Sequence, residues 1–215
     1  MLTALCLGVA PGATAGTCSS GGYAYAGLQS SEPAHGIAAT LSALRAPRVE
    51  NGHVAAWVGV GGHGLGPGGA DEWIQVGLAA FPGSASRLYY EVKQPGRRAR
   101  YVEILRPVRS GERHRVMVLE RSGADGWWQV RVDGLRVGRP VFLPGSHGRW
   151  YPIATAESWS GGALTCNGFR YSFELVALAA EHGGSWQAFS GGYMLRDPPY
   201  RLVRRGASSF LALAR

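Results

Sequence analysis

From residue 72 to 80 the side chains alternate in character. Trp73, Gln75, Gly77 and Ala79 fall on one face of an extended chain, and Ile74, Val76, Leu78 and Ala80 fall on the other. That two-residue period predicts a strand. One face is aliphatic throughout, while the other offers an indole and an amide. A buried amide without hydrogen-bond partners costs about 1–3 kcal/mol, so Gln75 faces either solvent or a site. Similar short runs predict strands at 23–29, 37–44, 53–62, 88–92, 101–105 and 115–120, with Pro107, Ser110 and Gly111 joining the last two. The run 127–132 ends in Asp133-Gly134, a two-residue hairpin signal that returns 135–143 antiparallel to it. Trp127 and Trp128 must point to opposite faces, one of them into the core. Two further strands are predicted at 152–159 and 169–179, the second presenting Phe169, Tyr171, Phe173 and Leu175 on its core side.

Strands at intervals of about a dozen residues, with no long amphipathic helix between them, predict an all-β fold: one antiparallel two-sheet β-sandwich or jelly roll. The chain has 215 residues, 46% of them hydrophobic and only 17% charged, enough apolar surface for one substantial core and too little charge for a disordered chain. The expected domain runs from 17 to 215. Its core lies at about 23–180, and a C-terminal extension, 181–215, brings Trp186, Phe189 and Tyr193 over that core. Within the extension Asp197-Pro198-Pro199 reads as a break, and 210–213 as an added edge strand.

Residues 1–16 read as a signal peptide, with an apolar run at 2–10 and an A-x-A cleavage pattern at Ala13-Thr14-Ala15, although the positive n-region is missing. The protein is therefore expected to be secreted. No other apolar run approaches the roughly 20 residues of a membrane span. Export leaves Cys18 and Cys166, which most simply pair as a disulfide, with two buried thiols as the alternative. The six histidines are scattered in sequence, so neither a metal nor another cofactor is expected. The net charge of +8 is mostly arginine spread along the chain. It predicts a solvated basic surface that would favour an anionic cell envelope, and no nucleic-acid module accompanies it. A monomer is expected.

Several chemistries lack their residues. A glycosidase sandwich wants carboxylates spaced along one strand face, as in E-x-D-x-E, and no such triplet occurs; Asp71 and Glu72 are adjacent and point to opposite faces of a strand. The nucleophile elbow G-x-S-x-G is absent. The Gly-rich run 59–64 leads into no helix and so makes no phosphate cradle.

Four runs occur in order: Ala56-Trp57-Val58-Gly59-Val60-Gly61-Gly62, then Ile74-Gln75-Val76-Gly77, then Tyr89-Tyr90-Glu91, then Thr155-Ala156-Glu157-Ser158-Trp159. Together they resemble the glutamic peptidases, or eqolisins (peptidase family G1). These are secreted acid endopeptidases on a β-sandwich of the concanavalin A-like lectin and glucanase type, and their corresponding runs are A-W-V-G-I-D-G, L-Q-T-G, W-Y-E-W and N-A-E. The likeness spans about 23–180. It implies that Gln75 matches the catalytic glutamine and Glu157 the catalytic glutamate, the latter acting as general base on a water that attacks a peptide bond. It also implies that Trp57, Trp73, Tyr25, Tyr89 and Glu91 line or support the substrate site, and that the partner is a protein or peptide substrate.

Three positions depart from that pattern. The aspartate after W-V-G-I is Gly61 here, the second tryptophan of W-Y-E-W is Val92, and the N-terminal tryptophan is Tyr25. A basic chain in a family suited to acid leaves two alternatives: a shifted working pH, or lost catalysis. A non-catalytic domain using the same aromatic face to bind glycan or peptide is therefore the competing expectation.

Overall fold

The computed structural model describes residues 18–214; the candidate signal peptide, 1–16, lies outside the described residues. The first strands are β1 (Ser19–Ser20), β2 (Tyr23–Gln29), β3 (Gly36–Ala43), β4 (His53–Gly62), β5 (Glu72–Ala80), β6 (Ser86–Lys93), β7 (Arg100–Val108) and β8 (His114–Glu120). They are followed by β9 (Trp127–Val132), β10 (Leu135–Phe142), β11 (Ile153–Trp159), β12 (Leu164–Thr165) and β13 (Arg170–Glu181). The last are β14 (Gly184–Ala188), β15 (Tyr193–Arg196), β16 (Arg201–Gly206) and β17 (Ser209–Leu213), and the short 3-10 turn Pro67–Gly69 lies between β4 and β5. Among the described residues no helix is long and apolar enough to cross a membrane.

Two antiparallel sheets face each other, as the strand spacing predicts. The front sheet has the order β15-β2-β11-β4-β5-β6-β7; the back sheet has the order β10-β9-β8-β3-β13-β17-β16, with β14 also paired to β13. The alternation along β5 decides which side meets the core. Ile74, Val76 and Leu78 are fully buried between the sheets, each contributing about 1.5–3 kcal/mol by leaving water, while Trp73 and Gln75 are half-buried on the outer face. From the back sheet Phe173 and Phe210 stack at 4.4 Å between ring centroids, and Trp128 stacks on Trp150 at 6.4 Å. Trp128 is the core member of its pair; Trp127 is exposed.

Three elements differ from the sequence expectation. Leu175 does not share the core face of Phe173: it has φ +51°, the β13–β3 register shifts between Glu174 and Ala177, and the side chain turns outward while Val176 fills the core. A bulge of this kind inserts a residue and reverses the alternation downstream, which a two-residue period cannot anticipate. Pro107 lies inside β7 rather than in a connection, and it is tolerated there because β7 is an edge strand. The 210–213 segment is not an edge: β17 pairs with β13 on one side and β16 on the other, with Phe210 completely buried. Of the three aromatics expected to cover the core, Phe189 does so, whereas Trp186 and Tyr193 are exposed.

Some outer-face positions of the front sheet admit no side chain. A Cβ on Gly77 would sit 2.0 Å from the Ala56 carbonyl oxygen, so the neighbouring backbone occupies the space that any other residue would need.

Cys18 and Cys166 form a disulfide across a separation of 148 residues, anchoring the ribbon in which β1 pairs with β12. Replacing both cysteines by serine should cost about 2–5 kcal/mol of stability, most of it through the freer unfolded chain; denaturant unfolding of the two forms measures the difference.

Candidate active site

The outer face of the front sheet forms a cleft of about 660 Å³. Its position follows from register. Glu157 on β11 stands opposite Ala55 on β4 and Tyr25 on β2, Gly59 stands opposite Gln75, and Gln75 stands opposite Glu91 on β6. Since side chains two residues apart share a face, these pairings put Tyr25, Trp57, Trp73, Gln75, Tyr89, Glu91 and Glu157 on the same side. All seven line the cleft. Its floor is a separate apolar cluster of Ala55, Trp57, Ala79 and Tyr89, with Tyr25, Phe81 and Ile153 packed against it.

Two carboxylates are held in this apolar surround, each by an indole. Trp57 Nε1 donates to Glu157 Oε2 at 3.0 Å, and Trp73 Nε1 donates to Glu91 Oε1 at 2.9 Å. Between them, Gln75 Nε2 donates to the Tyr89 hydroxyl at 3.2 Å. That bond leaves the amide with a second N–H and its carbonyl oxygen for a further partner. Glu157 is 6% exposed, yet its other oxygen, Oε1, lies 3.0 Å from His53 Nε2.

Burial sets the protonation of the groups around the pair. Tyr89 is pushed far above the ordinary phenol range, first by desolvation and then by the charges of Glu157 and Glu91, so it remains a neutral O–H. Tyr25 is raised by burial and then by Glu157, and Tyr101 is pushed up to about 12, chiefly by burial. Burial also lifts the Glu91 carboxyl above its ordinary range; the Trp73 N–H pulls it part of the way back, Glu157 pushes it up and His53 opposes that.

Sequence reasoning missed several cleft residues. His53 is the most consequential, because it is the second polar partner of Glu157. The alternation carried its signal: His53, Ala55 and Trp57 are spaced by two, so His53 had to share the face of Trp57. Phe81 and Tyr101 line the wall, and Leu195 comes from β15, which lies in the segment read as an extension and pairs with β2. Asp197 ties this edge down, its Oδ2 accepting from the Tyr25 N–H at 2.9 Å.

Gly61 has no room for an acid. It sits at φ +86°, and a Cβ there would lie 2.2 Å from the Glu72 carbonyl oxygen and 3.0 Å from the Trp150 ring. This backbone is shaped around glycine.

No family model matches the chain, and no curated protein matches it. Among solved structures it is similar to scytalidoglutamic peptidase bound to a peptide-based transition-state analogue, with a TM-score of 0.65 at 15% identity over 93% of this chain and 100% of that one. A second structure of that peptidase with a transition-state analogue inhibitor gives 0.59 at 13% identity over the same shares. SCP-B, a member of the eqolisin family in complex with the tripeptide Ala-Ile-His, gives 0.61 at 15% identity, again over 93% and 100%. The fold is that of the glutamic peptidases.

A carboxyl that holds its proton more tightly in the folded chain favours folding at low pH, and that contribution is lost as pH rises through the folded-state value. Glu91 is such a group. Glu91→Gln, which keeps an acceptor for Trp73, should raise the unfolding midpoint at neutral pH and leave it unchanged in acid, as melting curves across the pH range would reveal. Gly61→Asp, which restores the acid found in the similar runs, should destabilise the fold by at least about 2 kcal/mol and be visible in the same melts.

Proposed function

We propose that this protein is a secreted acid endopeptidase of the glutamic-peptidase type, with Glu157 as general base and Gln75 as the oxyanion donor. The observation that carries this reading is that Glu157 and Gln75 line one cleft of a sheet with the glutamic-peptidase fold. The peptide-based ligands of the similar structures support an extended peptide as substrate. The Cys18–Cys166 disulfide supports an oxidising compartment.

In this mechanism a water held between the two side chains attacks the scissile carbonyl carbon. Glu157 takes one proton from the water as the C–O bond forms. The free N–H of Gln75 donates to the oxygen that becomes negative, an interaction worth about 3–4 kcal/mol when preorganised. Glu157 then returns the proton to the amide nitrogen as the C–N bond breaks, giving a carboxylic acid and an amine. Trp57 and His53 each occupy one lone pair of the Glu157 oxygens, and each oxygen keeps another for the water. The neutral Tyr89 hydroxyl orients the Gln75 amide.

The aromatic walls favour one competing reading, a domain that binds glycan or peptide without cleaving it. Tyr89 and Tyr101 stack at 4.9 Å between centroids, and Tyr23 and Tyr25 stack at 6.2 Å on the other side. Such faces suit a sugar ring as well as a peptide side chain.

Digestion of an unfolded protein across acid to neutral pH separates the two. Glu157→Gln should lower kcat/KM by about 10²–10⁴ and Gln75→Ala by about 10²–10³, with melting points near that of the parent. A folded parent protein that cuts nothing at any pH would leave the binding domain as the better account.

A further inference from the structure

Three of the six histidines, far apart in sequence, meet at one end of the back sheet. His35 directly precedes β3, Glu120 ends β8, and His147 lies in the loop between β10 and β11. His182 stands in the turn between β13 and β14. The ring centroids of His35 and His147 are 5.3 Å apart, and that of His182 is 5.8 Å from the first and 6.1 Å from the second. His35 and His147 flank the Glu120 side chain, which is completely buried. One Glu120 oxygen lies 2.6 Å from His35 Nδ1, and the other lies 2.9 Å from His147 Nδ1 and also accepts the Gly126 N–H.

The geometry points to a divalent transition-metal site, of the zinc type, formed by His35, Glu120 and His147. One ligand atom from each residue lies within 4.8 Å of the others. Two imidazoles and one carboxylate are a ligand set that zinc favours, with water or another group in the fourth position. The ion would replace the protons now shared between the rings and the carboxylate. His182 and Asp125 border the site: Asp125 Oδ2 is 3.8 Å from His147 Nε2, and its Oδ1 is 3.9 Å from His182 Nδ1.

The backbone holds the carriers in place. The Glu120 N–H donates to the His35 carbonyl at 2.8 Å, the His35 N–H to the Ala179 carbonyl at 2.9 Å, and the Gly183 N–H to the Glu120 carbonyl at 2.7 Å. Only the His147 loop comes from outside this lattice, so it is the part a metal would fasten. That loop also carries Trp150, whose indole N–H reaches the Leu65 carbonyl at 3.3 Å, and Gly145, whose N–H donates to Glu72 Oε2 at 3.1 Å. Glu72 begins the strand that presents Trp73 and Gln75 to the cleft. The site is thus a structural clamp behind the front sheet, and it stands whether or not the cleft cleaves peptides.

The test is zinc binding to the purified protein after chelator treatment, read by metal content after dialysis and by thermal unfolding, with magnesium as the comparison ion. Expected are one zinc per chain and a midpoint raised by about 5–11 °C at a hundredfold excess over the dissociation constant, with no response to magnesium. His147→Ala, in an accessible loop, and His35→Gln should each lose both responses while melting in chelator close to the parent. His63→Ala should bind zinc as the parent does. The proposal is overturned if the parent takes up no zinc, or if the folded His147→Ala and His35→Gln variants bind it undiminished.

Discussion

A carboxylate in an apolar cleft needs donors, and the site depends on how the front sheet supplies them. Glu157 is nearly sealed from water by rings and small side chains, where an unpartnered charge would be very costly. Trp57 meets that need from the adjacent strand, and the neighbouring Trp73–Glu91 pair repeats the arrangement two strands away. These bonds exist only in one register, because sliding β11 against β4 by a single residue would send Glu157 to the other face. The geometry of the cleft and the pairing of the central strands are therefore one constraint.

The departures from the glutamic-peptidase runs become intelligible in that setting. Gly61 is not an acid that happens to be missing; its left-handed backbone and close neighbours leave the position no side chain at all. The polar support that the cleft does have comes from elsewhere, from His53 at the head of β4 and Glu91 on β6. Exposed charges are screened by salt, so the chain's arginine excess acts on the cleft only weakly, whereas His53 touches the Glu157 carboxylate directly at 3.0 Å.

Much of the architecture was legible in the sequence because it rests on local alternation. The strands from Tyr23 to Trp159 announced themselves through period-2 patterning or as short runs bounded by turn residues, and the polar face of β5 isolated Gln75 as an anomaly. Glu157 was weaker on its own and gained meaning only beside Gln75. What escaped was whatever depends on distant pairing or on a break in the pattern. The bulge at Leu175 inverts the faces of β13 without any glycine or proline to mark it. The segment after 181 is rich in glycine and arginine, and its strands are defined by partners more than a hundred residues away for β15, and by both neighbours at once for β17. The histidine cluster was invisible for the same reason: its members share no spacing, only the end of a sheet.

The place of β15 and β17 also shapes how the molecule comes to exist. Strand β2 is among the first written in the chain, yet β11 and β15, which flank it, lie at 153–159 and 193–196. The meanders β4-β5-β6-β7 and β8-β9-β10 can pair with neighbours in sequence, but β2 cannot, so the entropy of closing very long loops must be met before the front sheet is complete. Such long-range pairing is intrinsically slow to form. Until the final strands dock, the inner strands remain open edges, the form in which β-rich chains are most prone to pair with one another rather than with themselves.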